Sequence, residues 1–380
     1  MQRNPFSFGD LALDATFTDR EDELAELKTD IRNGLNVVIF APRRYGKTSL
    51  VLRAAQELMS EGVLIAQVDL MQTATKEQLA AKLAASIYEH IAGPLFRARE
   101  RATQIFRGLR ITPTMTLDPG DGSVRFSFSA GHASEDVDAT LERILELPAE
   151  LAAERKRPVA LVFDEFQEVL EIDLRLPALM RAIFQAQQDV AHVYLGSKRT
   201  MMERLFNDEN EPFWRSAKQV ELGTIPRAPF EAFVRERFAA TGKSVTDEVV
   251  TEILDRTGGH PYATQELCYA LWEETDERPA GGDELARALE RVLRSENAHF
   301  TRLWDTSSRN QRLVLQALAQ EPLRPITSEE YRRRYGLPAP SSVQKALDRL
   351  VAEEVVVRER AGAYRIAEPF LADWIRRSGT

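Results

Sequence analysis

Residues 40–50 read FAPRRYGKTSL. The triplet Gly46-Lys47-Thr48 follows a short apolar run and opens a helical pattern, the setting that phosphate chemistry needs. Glycine lets backbone N–H groups approach a phosphate closely, and the helix N-terminus adds a favourable field. Lys47 would reach the β- and γ-phosphates, and the Thr48 hydroxyl would ligate Mg²⁺. Ala41 stands where such a loop usually has its first glycine. Alanine there costs about 1–2 kcal/mol if the position needs a positive φ, and nothing otherwise. The candidate cradle is Pro42, Arg43, Arg44, Tyr45, Gly46, Lys47, Thr48 and Ser49; Arg43 and Arg44 read either as phosphate contacts or as solvent-facing charges.

A hydrolytic nucleotide site also needs carboxylates. PVALVFDE, residues 158–165, is an apolar strand ending in Asp164 and Glu165. The first would hold the Mg²⁺ shell and the second would polarise the attacking water. Glu165 also reads, more blandly, as a cap for the next helix.

The elements that must position these residues alternate. Apolar runs at 36–40, 63–70, 158–164, 191–197 and 218–225 predict five strands, separated by helical patterns at 47–59, 76–91, 135–155 and 174–189, with a charged helix at 19–33 leading in. Such alternation predicts a parallel sheet with right-handed crossovers. Residues 111–129 break the rhythm with period-two alternation around DPGDG, predicting an inserted β-hairpin whose Phe126 and Phe128 share a face. From 229 to 299 the pattern is helical, interrupted at TGGHP and RPAGGD, and predicts a four-helix unit. Helical segments at 309–319, 328–335 and 341–353, followed by VVVRERAGAYRI with its Ala361-Gly362 turn, predict a winged helix. The expected domains are a core over 1–227, a helical lid over 228–299 and a winged helix over 300–380.

Length and composition bound the rest. With 380 residues, 43% hydrophobic and 29% charged, the chain is a globular protein of two or three units. No apolar run reaches the roughly 20 residues of a membrane helix, and the opening residues show no targeting segment, so no membrane partner is expected. One cysteine, Cys268, forms no internal disulfide, and the expected location is the cytoplasm. The five histidines lack metal-ligand spacing. A net charge of −9 argues against wholesale coating of nucleic acid, yet residues 301–380 hold 14 Lys and Arg against 10 Asp and Glu.

The series NPFSFG, FTDRE, APRRYGKTSL, ALVFDEFQEV, VYLGSKRTMM, PFWRSAK and GGHPYATQELC resembles the archaeal-ATPase-like family within the AAA+/STAND group of P-loop proteins, across essentially the whole chain. The family's loop begins with Gly or Ala, so Ala41 is ordinary for it. The resemblance implies an α/β P-loop fold with sheet order 5-1-4-3-2, an all-α lid and a winged helix, with ATP or ADP and Mg²⁺ as cofactors. It implies that Phe17 and Arg20 lie near the adenine and that Pro261 reaches the base or ribose. Ser197, at the end of the fourth strand, would sense the γ-phosphate, with Arg199 nearby as a further positive charge, and Arg215 would be an arginine finger acting on a neighbouring subunit. The plain alternatives are a hydrophobic staple, a capping charge, a helix-starting proline, a strand exit and a solvated arginine.

Three function classes stay open. One is an ATP-hydrolysing switch in which nucleotide state controls lid and winged helix and so engagement of a protein partner; the absence of a recognisable lid arginine favours it over a remodelling motor. Another is an ATP-controlled DNA-binding regulator or initiator-like protein, using Lys345 and Arg349 on the third helix, Arg332, Arg333 and Arg334 before it, and Arg358, Arg360 and Arg365 on the wing. The last is a nucleotide-bound scaffold with negligible turnover. A homo-oligomer is compatible with each.

Overall fold

The computed structural model describes residues 3–9, 19–91, 109, 114–117, 124–127, 134–359 and 362–378. Phe17, Phe128, Arg360 and Ala361 lie outside the described residues. Two compact units divide the chain. An α/β unit comprises Arg20–Arg43 and Lys47–Leu222, and a helical unit comprises Met1–Asp19, Arg44–Gly46 and Gly223–Thr380.

In the α/β unit the strands are β1 (Val37–Phe40), β2 (Leu64–Asp69), β3 (Thr114–Leu117), β4 (Val124–Ser127), β5 (Val159–Asp164), β6 (Val190–Gly196) and β7 (Lys218–Glu221). Five of them form one sheet in the order β2-β5-β6-β1-β7, all pairs parallel. Counted among the sheet's own strands, that is the expected 5-1-4-3-2 read from the other edge. β1 is buried at every residue, and β5 at all but Asp164, because central strands of a parallel sheet are covered on both faces. β3 and β4 make the expected separate antiparallel hairpin.

Register delivers the chemistry to one edge. Phe40 pairs with Gly196 and Asp69 with Asp164, so the loop after β1, the carboxylates ending β5 and Ser197 after β6 all leave at the carboxyl ends of adjacent strands. Open α/β sheets bind ligands there.

From Gly223 on, the helical unit opens with the helices Arg227–Ala240, Asp247–Thr257, Pro261–Glu274 and Gly282–Thr306. Each boundary follows its local chemistry. Thr246 caps the second helix through a hydrogen bond from the Val249 N–H, and Gly258 ends it at φ +58°. The His260 ring accepts from the Ala263 N–H and caps the third, with Pro261 in its first turn. Helices Arg309–Gln320, Glu329–Arg334 and Pro340–Ala352 and strands β8 (Val356–Arg358) and β9 (Tyr364–Ile366) follow. A further helix, Pro369–Ser378, went unread in the sequence; Phe370, Leu371 and Ile375 bury it. One hydrophobic cluster runs from Phe230 to Ile375, so the four-helix part and the winged part share a core.

Candidate active site

In the phosphate-loop segment, Gly46 has φ +86°, which a side chain disfavours, and glycine supplies it without strain. Ala41 is buried and is not among the residues with positive φ, so its methyl group costs nothing. Lys47 is buried, and its Nζ donates to the Ala41 carbonyl at 2.6 Å and the Pro42 carbonyl at 3.1 Å. The ammonium is held inside the loop at the start of the helix Lys47–Ser60, where the dipole favours an anion.

The Thr48 hydroxyl donates to Asp164 Oδ2 at 3.1 Å. A hydroxyl and a carboxylate side by side are an oxygen-only pair of the kind that suits Mg²⁺, whose other ligands are substrate phosphates and water. No cluster of three or more His, Cys, Asp and Glu able to hold a metal occurs among the described residues.

Glu165 leaves β5 in the left-handed region, φ 52° and ψ 48°. Its Oε2 accepts from the Ser197 hydroxyl at 2.7 Å and from Gln167 Nε2 at 2.5 Å. The two neighbouring carboxyls are pushed in opposite directions. Burial, seconded by the charge of Glu165, raises Asp164 above the ordinary value against the pull of the Thr48 hydrogen bond. Burial pushes Glu165 up too, but hydrogen bonds from Gln167 and Ser197 and the charges of Lys47 and Arg43 outweigh it and hold Glu165 low. The ionised form of Glu165 is thereby favoured.

Residues Arg44 and Tyr45 are engaged within the helical unit. Arg44, at φ +67°, pairs with Glu368 at 3.1 Å and lies 4.1 Å over the Tyr262 ring, so it is neither free in solvent nor aimed at open space. Tyr45 accepts from Arg365 at 3.0 Å and meets the His260 ring edge-on at 4.7 Å. Around Arg44 stand Glu266, Glu296 and Glu368; burial and the other two acids push Glu266 up to about 8.

Of the remaining expected residues, Arg43 is exposed, Pro42 half-buried and Ser49 buried. Arg20 is buried and pairs with Glu23 at 2.8 Å. Arg199 pairs with Glu203 and Glu221. Arg215 is exposed, at φ +49°, beside the Trp214 ring. Sequence reasoning passed over Gln167, which is fully buried and lies two positions after Glu165 among other polar residues, so no local signal marked it.

The winged part's arginines are largely spoken for. Arg333 pairs with Glu329, Arg334 with Glu321, Arg349 with Glu353 and Arg365 with Glu359, and Arg332 donates to the Thr327 and Pro338 carbonyls.

Comparison with known proteins agrees with the fold. Residues 298–377 match a probable winged helix domain. Among solved structures, a Walker-type ATPase of Pyrococcus abyssi is similar in fold, at 18% identity and a TM-score of 0.65, over 95% of this chain and 96% of that one. The Aeropyrum pernix ORC2 protein, solved in ADPNP and ADP complexes, is similar at 14% identity and a TM-score of 0.54, over 95% and 94%. No curated protein matches the sequence. Residues 17–267 match the ATPase domain predominantly from Archaea, and with well over half of its length matched the chain belongs to that ATPase family.

Proposed function

We propose that the protein is a slow ATP-hydrolysing switch of the STAND type, whose nucleotide state sets the arrangement of its lid and winged helix and thereby its engagement of a protein partner. The observation that carries this is the convergence of Thr48 on Asp164 and of Ser197 and Gln167 on Glu165 beside a buried Lys47. In this reading Lys47 and the loop's N–H groups hold the β- and γ-phosphates. Thr48 and Asp164 hold Mg²⁺, which would supply neutralisation of phosphate charge when bound. Glu165 orients a water whose oxygen bonds to the γ-phosphorus as the bond to the β,γ-bridging oxygen breaks and its electron pair leaves with ADP. Glu165 accepts the water's proton and passes it to the phosphate product.

The switch reading rests on the loop residues Arg44 and Tyr45, covalently joined to Lys47, whose side chains bind Glu368 and Arg365 next to the winged part's strands and last helix. A loop that reshapes around phosphate alters those contacts. Exposed Arg215 is then the group that would act on a second copy, and Pro261 the one that would approach the nucleoside. The protein-partner reading is preferred over DNA because four arginines of the basic set are already paired with glutamates; a phosphate backbone would have to displace each.

Hydrogen exchange of the Glu165→Gln variant, saturated with ATP or with ADP, tests the switch. The expected result is a nucleotide-dependent change in protection in the helix Pro369–Ser378 and in β9. Identical exchange in both states would overturn it. In parallel, duplex DNA titrated at several salt concentrations should show no salt-dependent binding; a steep salt slope would favour the DNA regulator.

A further inference from the structure

Gln167 is 0% exposed, and its chemistry is fixed by its neighbours. Its Nε2 lies 2.5 Å from Glu165 Oε2 and 3.4 Å from Glu168 Oε1. Carboxylates only accept, so the amide nitrogen must face them. That leaves Gln167 Oε1 buried with no hydrogen-bond partner among the described residues. An orphaned buried carbonyl carries an uncompensated desolvation cost, which a methionine of similar length would not incur. The backbone opposite is shaped around the same side chain. A Cβ on Gly196 would stand 2.8 Å from Gln167 Oε1 and 2.3 Å from Met202 Cγ, so glycine at the end of β6 keeps the space the amide occupies.

We infer that Gln167 is the positioning residue for Glu165, fixing the carboxylate by Oε2, together with Ser197, so that Oε1 is left to accept a proton from the attacking water. The inference rests on the hydrolytic reading above and gives one of its contacts, Gln167, a role of its own. The consequence is orientation: a carboxylate pinned through one oxygen presents the other in a single direction. Glu168 is kept from competing for the amide by Lys198, which donates to the same Glu168 oxygen at 2.9 Å.

The test compares full-length wild type, Gln167→Met, Gln167→Glu and Glu165→Gln in steady-state ATP hydrolysis, in equilibrium binding of a fluorescent ATP analogue and in thermal unfolding. With Gln167→Met, kcat should fall about tenfold while analogue affinity stays within about twofold. With Gln167→Glu, where a donor is replaced by an acceptor, kcat should fall at least as far. The thermal midpoint of Gln167→Met should hold, since the lost hydrogen bond and the removed orphan carbonyl oppose each other. Gln167→Glu carries the same comparison of kcat with affinity should the methionine variant not fold. A Gln167→Met enzyme with wild-type kcat, or one whose loss tracks a fallen midpoint, would overturn the assignment. Wild-type turnover indifferent to Glu165→Gln would instead overturn the hydrolytic reading beneath it.

Discussion

Two acids of this chain are shifted in opposite directions by their surroundings, Glu165 in the α/β unit and Glu266 in the helical unit. In the α/β unit, Asp164 and Glu165 are each met by a donor: Thr48 for one, Ser197 and Gln167 for the other. In the helical unit, Glu266 is 2% exposed with Oε2 unpartnered among the described residues, and Glu368, paired with Arg44 through Oε2, has Oε1 buried without a hydrogen bond among them. Glu165 is accordingly held low, whereas Glu266 is pushed up to about 8 and Glu368 is raised. Two donors on one oxygen hold Glu165 low, whereas the single Thr48 donor leaves Asp164 raised by burial. Glu266, without such donors, carries an electrostatic cost that Arg44 only partly offsets.

The comparison predicts where substitutions will hurt. Glu165→Gln should lower turnover at least about a hundredfold with little change in stability, since a proton acceptor is lost and the amide fits the same space. Single-turnover kinetics beside a denaturation curve checks it, and a matching loss of stability would erase the contrast. Arg44→Ala should destabilise the helical unit by about 1–3 kcal/mol, discounted because the guanidinium is over a third exposed. A shift in urea midpoint reads this directly.

Glu266→Gln sharpens the comparison through pH. A carboxyl whose folded pKa is raised from 4.5 to about 8 stabilises fully below the lower value and loses that contribution as pH rises through the higher one. Burial is the main cause, then Glu296 and Glu368, with Arg44 opposing and Tyr262 also facing the group. The variant should melt higher than wild type at pH 8.5 and nearly with it at pH 5; the reverse ordering would contradict the cause. Smallest of all, Ala41→Gly should change turnover by less than about twofold and stability by about 0.5 kcal/mol or less, because position 41 needs no positive φ.

The sheet was legible because strands buried on both faces are continuous apolar runs, as in VVIF and VALVFD, and because Gly46-Lys47-Thr48 and Asp164-Glu165 end two of them. The helical breaks at TGGHP and RPAGGD were legible for the same local reasons. Long-range partnerships were not. Nothing in the spacing of Arg44 and Glu368, 324 residues apart, announces their pairing. Gln167 looked like one polar residue among several in DEFQEV, and only the fold shows its amide under Glu165. The helix Pro369–Ser378 escaped because its short apolar set, Phe370, Leu371 and Ile375, acquires meaning only against the helices it covers.

The central claim is that Lys47, Thr48, Asp164 and Glu165 form one hydrolytic site. Steady-state phosphate release from ATP and Mg²⁺ by wild type, Lys47→Ala and Glu165→Gln, with nucleotide binding measured on the same samples, tests it most directly. The account predicts slow wild-type turnover abolished in both variants, with ATP still bound by Glu165→Gln. Tight nucleotide retention with no turnover in wild type, or turnover that survives Glu165→Gln, would contradict it.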